Sequence, residues 1–213
     1  MDDAVDTTAE LAENLHDLER ANRWFGGSAL VDAVLQTAAA TVLDVGCGSA
    51  DIPAALAARA HARGRALRVT CLDRSAQILA VARSRVGSDP GLEFVQANGE
   101  ALPFGDGAFD VVTCSLALHH FDPPAALRLL SEMRRVARLR PFVSDLVRSL
   151  SAYVGTLAFV HLLSRNRLTR HDGPLSVRRA YTPGEARALA ARAGWRSPRV
   201  RRTPFFRMLL YDD

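Results

Sequence analysis

The sequence predicts an α/β fold: a doubly wound, mostly parallel sheet of seven strands, with helices on both faces and an antiparallel hairpin at one edge. Three observations carry this expectation. From residue 41 to residue 144, short β-type runs alternate with helical stretches, and a strand that returns through a helix pairs in parallel. The first run ends in Gly46-Cys47-Gly48, a turn that opens straight into a helix. The last two runs, Trp195–Arg202 and Phe205–Tyr211, are joined only by Thr203-Pro204, a link short enough for an antiparallel turn and too short for a crossover.

In chain order, the first 35 residues read as helical. Leu11, Leu15, Leu18 and Trp24-Phe25 fall on one stripe, and Thr7 or Thr8 with Glu10 supplies its cap. Gly26-Gly27-Ser28 separates a second stripe through Leu30, Val34 and Leu35. Thr41–Val45 is a strand and Ala50–His61 an alanine-rich helix. Leu67–Leu72, Ser75–Val86, Leu92–Gln96 and Phe109–Ser115 follow as strand, helix, strand and strand. Asp122 caps a helix that Pro123 begins, because the first turn leaves unbonded the N–H that proline lacks. That helix runs to about Arg138, and Phe142–Ser144 is the fifth strand. Ser149–Leu163 is a helix with an apolar body, and residues 164–180 are an arginine-rich loop. Thr182, Pro183 and Glu185 start a last helix, which Gly194 ends. No repeat or low-complexity linker divides the chain, so one domain is expected.

Composition narrows the chemistry. All 27 lysine-or-arginine positions hold arginine, which excludes lysine Schiff bases, a lysine general base and a P-loop lysine. The net charge of +4 hides a split: residues 1–127 carry −8, and residues 128–211 carry +14. Such a basic half suits nucleic acid, an anionic membrane or an acidic substrate, or serves only to solubilise helices. The acidic start, Met1 to Asp6, lacks the basic-then-apolar order of a signal peptide. The longest charge-free run, Ser149 to Ser164, has 16 residues, short of a membrane span. Cys47, Cys71 and Cys114 form no CxxC pair and lie in or beside apolar runs, as reduced buried thiols do. A cytoplasmic protein is expected.

Four stretches carry chemistry, all at carboxyl ends of parallel strands, where open α/β sheets bind ligands. In Val42-Leu43-Asp44-Val45-Gly46-Cys47-Gly48-Ser49-Ala50, glycines let a ligand approach the backbone. The third position of a GxGxxG pattern is Asp51, which repels a pyrophosphate and suits a cation, disfavouring a nucleotide-dependent oxidoreductase. Asp73 ends the second strand 25 residues after Gly48, where a carboxylate can take both hydroxyls of a ribose. Asn98, in Ala97-Asn98-Gly99-Glu100, can read an adenine edge, and Phe109–Ser115 runs into the paired-histidine turn His119-His120-Phe121.

As a set, VLDVGCG at residues 42–48, the strand-end Asp73, Ala101-Leu102-Pro103-Phe104 and His119-His120-Phe121 resemble class I S-adenosylmethionine-dependent methyltransferases. More narrowly they are similar to the small-molecule branch that includes ubiquinone- and menaquinone-biosynthesis methyltransferases. The resemblance covers residues 41–146 densely and the rest loosely. It implies a Rossmann-like fold, S-adenosyl-L-methionine as cofactor and S-adenosyl-L-homocysteine as product. It implies that Asp44, Gly46 and Gly48, with Cys47 between them, line the methionine part of the cofactor. Asp73 would take the ribose hydroxyls with Arg74 beside the adenine, Asn98 and Gly99 would meet the adenine, and Ser115 and Leu116 would offer backbone groups near the sulfonium. Asn98 stands where the family usually has Asp. The family's Pro-Gly-Gly turn is also missing: Ala137-Arg138-Leu139-Arg140-Pro141 leads straight into the fifth strand, which bears on where Asp145 falls. The implied layout is one methyltransferase domain over residues 1–213, with a helical lid at 1–37, a cofactor-binding core at 41–146, an acceptor-side helix and loop at 147–180, and a C-terminal helix and edge strands at 181–213.

Methyl transfer to O or C requires alignment of the acceptor and removal of a proton. His119 and His120 follow the fourth strand and Asp145 the fifth, so these ends should be neighbours, and a carboxylate beside an imidazole orients it and raises its basicity. His171, next to Asp172, is an alternative base in the expected loop. Trp24 and Phe25 of the lid, with Tyr153, His161 and Phe206, are the candidate acceptor-pocket residues, and they suit an aromatic, polyketide-like or quinone-like metabolite. No Cys/His/carboxylate cluster has ligand spacing, so no metal is expected. Two rivals stand beside this reading: an RNA methyltransferase using the arginine-rich half, which steeply salt-dependent RNA binding would reveal, and a non-catalytic S-adenosylmethionine-binding protein. The expected partner is a small-molecule acceptor rather than nucleic acid, with the protein a monomer or homodimer without a membrane span.

Overall fold

A computed structural model describes residues 27–163 and 167–213. Its strands are β1 (Thr41–Val45), β2 (Arg68–Asp73), β3 (Leu92–Gln96), β4 (Phe109–Ser115), β5 (Ala137–Leu146), β6 (Pro198–Thr203) and β7 (Arg207–Asp212). The helices are α1 (Gly27–Leu35), α2 (Asp51–His61), α3 (Ala76–Val86), α4 (Pro123–Val136), α5 (Leu150–Leu163), α6 (Arg167–Arg179) and α7 (Pro183–Arg192), with a 3-10 turn at Leu118–His120. The strands form one sheet in the order β3-β2-β1-β4-β5-β7-β6. β1 to β5 pair in parallel, and β7 lies antiparallel between β5 and β6. The chain therefore winds outward from β1, then restarts at β4 on the other side, and this reversal opens a crevice above the carboxyl ends of β1 and β4.

Both faces of the sheet are covered, so its central strands are apolar almost throughout. Val42, Val69, Val111, Phe142 and Leu209 pack with Leu30, Val34 and Leu56 of α1 and α2. Leu43, Val45, Val112, Val143 and Leu210 pack on the other face with Leu129, Leu130 and Met133 of α4 and Leu189 of α7. The helix starts follow from their caps. Asp122 accepts the Ala125 N–H ahead of Pro123, and Thr182 and Glu185 form a reciprocal capping box.

Three elements differ from the sequence reading. β5 is ten residues long and begins at Ala137, immediately after α4. The glycine-free stretch Ala137–Pro141 is thus itself strand, and a register shift between Phe109 and Val111 on β4 absorbs the tight entry. Beyond the shift, Thr113 faces Phe142 and Ser115 faces Ser144, which brings Asp145 to the carboxyl edge. Residues 167–179, expected as loop, are helical. Pro174, Val177 and Ala180 are buried three residues apart, and this narrow stripe is hidden in a composition that is otherwise polar. The edge hairpin turns at Pro204-Phe205-Phe206, with Phe205 and Phe206 both in the left-handed region at φ 61° and 58°. For residues other than glycine that conformation costs about 1–2 kcal/mol each.

Asp110 ties the start of β1 to β4. Its carboxylate accepts the Ala40 N–H at 2.9 Å, the Thr41 N–H at 3.1 Å and the Thr41 hydroxyl at 3.2 Å, and it pairs with Arg138. Burial opposes its charge, but the amide donors, Arg138 and the hydroxyl outweigh burial and hold the carboxyl below its usual range. Asp110→Ala is expected to cost about 2–3 kcal/mol in urea unfolding at pH 7. Because the folded carboxyl is the stronger acid, the gap between variant and wild type should narrow as the pH falls below about 4.

Candidate active site

The glycine turn after β1 is built from backbone hydrogen bonds. The Gly46 and Cys47 N–H groups both donate to the Leu72 carbonyl, at 2.8 and 3.0 Å, locking the turn to the end of β2. Gly46 adopts φ +71°, and a Cβ there would stand 3.0 Å from the Ala117 Cβ, so only glycine fits. Gly48, at φ +53°, has open space where a Cβ would be, which leaves its backbone approachable by a ligand. The Cys47 side chain turns away into a small cluster with Cys71 and Leu79, where its bond with Cys71 and its burial push the thiol far above its usual range. Cys47 therefore offers only its backbone to a ligand.

Carboxylates surround this turn. Asp73, buried at the end of β2, accepts the Gly48 N–H at 3.3 Å and the Ser75 N–H at 3.0 Å. Asp44, buried at the end of β1, accepts the Thr113 hydroxyl at 2.6 Å. Its pKa is raised to about 7, by burial first, against which the Thr113 bond works, and then by the nearby charges of Asp51 and Asp73. A pocket that cannot comfortably ionise its own carboxylate is built to receive a positive charge. Beside it, the Ser115 hydroxyl oxygen is buried and has no hydrogen-bond partner, an orphan that a bound polar ligand would satisfy.

The remaining predicted cofactor residues line up unequally. Arg74 is exposed just beyond Asp73. Asn98 is exposed and uses its carbonyl oxygen to accept the Glu100 N–H at 3.0 Å. Gly99 has a packing role of its own, since a Cβ there would lie 2.8 Å from Val45 Cγ1 and 3.1 Å from Leu129 Cδ1. Leu116 adopts φ 51° and its N–H already donates to the Ser144 carbonyl at 2.8 Å, so only its carbonyl is left to offer.

His119 and Asp145 meet as the sequence suggested. Asp145 Oδ1 lies 2.7 Å from His119 Nδ1, Oδ2 accepts the His119 N–H at 2.9 Å, and Oδ1 also accepts the Leu146 N–H at 2.6 Å. Both side chains are buried. Burial alone would raise the Asp145 carboxyl, but the His119 imidazole and these amide donors outweigh it and hold it below its usual range. The His120 ring tilts against His119 at 4.2 Å between centroids. Its pKa is lowered to about 4, by partial burial and then by His119, so it is neutral at pH 7. His171 lies exposed on α6, where it contacts its neighbour Asp172 at 3.1 Å, and so sits on a helix and not on the loop expected to cover the site.

On the acceptor side, Tyr153 is half-buried on α5, and Phe206 sits in the hairpin turn with its ring against Gly155. His161 belongs to α5, but its side chain lies outside the described residues, as do Trp24 and Phe25. Two site residues escaped the sequence reading. Thr113 was hidden as an ordinary strand residue. Arg207 is buried at the start of β7, with Asp145 and Asp51 as its nearby charges, and burial lowers its pKa to about 10, so it stays cationic. Its one signal was a charge opening an otherwise apolar strand, Arg207–Asp212, next to the turn that reaches the carboxyl edge. An open groove of about 630 Å³ between α7 and the edge hairpin shares none of these residues.

Comparison with known proteins agrees with this geometry. Residues 42–140 match the model of the methyltransferase domain family. Over 102 residues the chain is 42% identical to the ubiquinone/menaquinone biosynthesis C-methyltransferase UbiE of Stenotrophomonas maltophilia (strain K279a), a match covering 46% of this chain and 38% of that protein. The fold is similar to a SAM-dependent methyltransferase from Aquifex aeolicus (TM-score 0.67, 18% identity, 94% of this chain and 96% of that one). It is also similar to human N-acetylserotonin methyltransferase in complex with SAM (TM-score 0.72, 13% identity, 96% of this chain and 56% of that one). Residues 42–140 thus carry a methyltransferase domain, and the fold around them is the one these methyltransferase structures share. Within that class the chain's sequence resembles the quinone-biosynthesis C-methyltransferases, less than two fifths of whose length it matches in the relative named above.

The raised Asp44 carboxyl gives a test. Near neutrality the folded chain holds a proton on Asp44 that the unfolded chain has lost, so ligand-free stability should fall as the pH rises through about 7. Asp44→Asn, which keeps an acceptor for Thr113 but cannot ionise, should raise the melting temperature at pH 8 by a few degrees. The same variant should bind S-adenosylmethionine at least about tenfold more weakly by calorimetry. Wild-type affinity should decline as the pH drops below about 7.

Proposed function

We propose that the protein methylates a small quinone-like or other aromatic metabolite, at carbon or at oxygen, in the cytoplasm. The observation that carries this reading is the buried His119–Asp145 pair at the carboxyl edge of β4 and β5, beside the orphaned Ser115 hydroxyl. Similarity to the quinone-biosynthesis C-methyltransferases favours carbon as the attacked atom and a quinol-like ring as the acceptor.

When bound, S-adenosylmethionine supplies an electrophilic methyl group on a positively charged sulfur. Asp44, Asp51 and Asp73 set a negative field for that charge, Asp73 is the group for the ribose hydroxyls, and the open backbone at Gly48 and the Ser115 hydroxyl complete the cradle. Asp145, held ionised, fixes the proton of His119 on Nδ1 and leaves the Nε2 lone pair to take a proton from the acceptor. The imidazolium so formed is stabilised by the same carboxylate. His120 is a weak base, with a pKa of about 4, and its ring supports His119 by contact. Arg207 is the buried cation on this side and favours an acceptor whose oxygen gains negative charge as its proton leaves.

Turnover of a naphthol and phenol panel with labelled S-adenosylmethionine tests the assignment. His119→Ala should lower kcat by about 10²–10⁴, with cofactor affinity kept within a few-fold. His120→Ala should lower it by less than about tenfold. Wild-type turnover in both variants would remove the histidines from the chemistry.

A further inference from the structure

We propose that the β6–β7 turn and the outer stripe of α5 form a docking surface for an anionic lipid bilayer. The usual burial of large apolar side chains is inverted here: Leu150 is 78% exposed, Val154 56%, Phe205 54% and Phe206 46%. Leu150, Val154 and Ala158 recur at a spacing of four along α5 and are all exposed, so they form one stripe. The turn is continuous with that stripe, because a Cβ on Gly155 would lie 3.1 Å from the Phe206 ring. The Val147 N–H donates to the Phe206 carbonyl at 2.8 Å and holds the turn against the end of β5. Phe205 and Phe206 both occupy left-handed backbone positions where glycine or asparagine would be unstrained.

Charge selects the occupant. Arg201 and Arg202, both exposed, precede the turn on β6, α5 carries no charge from Leu150 to Leu163, and residues 186–211 contain no acidic side chain. An apolar ridge rimmed by cations complements acyl chains beneath anionic headgroups. It is a poor match for a second copy of itself, since a two-fold axis through the ridge would set the Arg201-Arg202 pairs near one another. No described helix is long and apolar enough to cross a membrane, so the contact is peripheral. The turn is tied to Val147, two residues beyond Asp145, and docking therefore presents the carboxyl edge of the sheet to the lipid. The proposal does not depend on which acceptor is methylated.

Flotation of the full chain with vesicles tests it without any acceptor. The protein should rise with vesicles of phosphatidylcholine and phosphatidylglycerol, at least about tenfold less with phosphatidylcholine alone, and less as salt is raised. Leu150→Ser combined with Phe205→Ser should reduce the bound fraction at least about tenfold. Arg201→Gln with Arg202→Gln should remove the preference for anionic vesicles. Unchanged S-adenosylmethionine binding by calorimetry in every variant establishes that the variants are folded. No association of the wild type with anionic vesicles, or wild-type association of the Leu150 and Phe205 double variant, would overturn the proposal. So would a dimer in light scattering that the double variant abolishes while vesicles bind neither protein.

Discussion

Two buried aspartates fasten β1 to β4, one at each end of the pairing, and the rest of the molecule is arranged around that seam. At the amino end Asp110 gathers the Ala40 and Thr41 amides, the Thr41 hydroxyl and Arg138, and its charge is well compensated. At the carboxyl end Asp44 has one short bond from Thr113 and two carboxylate neighbours, and its charge is poorly compensated. The same residue type in the same burial therefore does opposite work. One aspartate holds the strands together, and the other stores an unmet demand for positive charge at the topological reversal of the sheet. A cationic cofactor, as proposed, would meet that demand, and no lysine is needed anywhere in the scheme.

The second polar system is separate from the first. His119, Asp145 and the Leu146 amide form a closed set on the β5 side, while Ser115 and Leu116 stand between the two systems. Arg207 is the link: it lies close enough to Asp145 and Asp51 to feel both charges. The acidic first half of the chain thus supplies Asp44, Asp51 and Asp73 around the glycine turn, and among the described residues of the arginine-rich second half Arg207 is the buried guanidinium. Arg201 and Arg202, by contrast, are on the outside, just before the turn that carries the exposed Phe205 and Phe206.

Much of this was legible in the sequence because it rests on local pattern. The strand periodicity placed all seven strands, the Asp122-Pro123 and Thr182-Pro183-Glu185 signals placed two helix starts, and adjacent strand ends brought His119 to Asp145. What was not legible depends on tertiary partners. α6 is helical because a stripe of Pro174, Val177 and Ala180 finds a place to be buried, and composition alone conceals that stripe. Thr113 and Arg207 matter through residues 69 and 62 positions away, Asp44 and Asp145 respectively, and no periodicity links them. Gly99 was read as a ligand contact, while its tight fit against Val45 and Leu129 supplies a packing reason. Ser115 and Leu116 were expected near the sulfonium, and only the fold reveals that the Leu116 amide is already spent on Ser144 and the Ser115 hydroxyl is not.

The direct junction between α4 and β5 has a mechanical corollary. With Val136 helical and Ala137 already paired to Phe109, no slack residue separates the helix from the strand. A pleated strand alternates its faces residue by residue, so adding or deleting one residue between Arg140 and Asp145, past the bulge, would move Asp145 to the opposite side of the sheet. Such a change would leave composition, core volume and cofactor turn almost untouched while separating the carboxylate from His119. The slack lies just beyond the joint, where β5 advances three residues (Ala137 to Arg140) against two on β4 (Phe109 to Val111); past that bulge the register with β4 runs unbroken to Ser144 and so sets the position of Asp145.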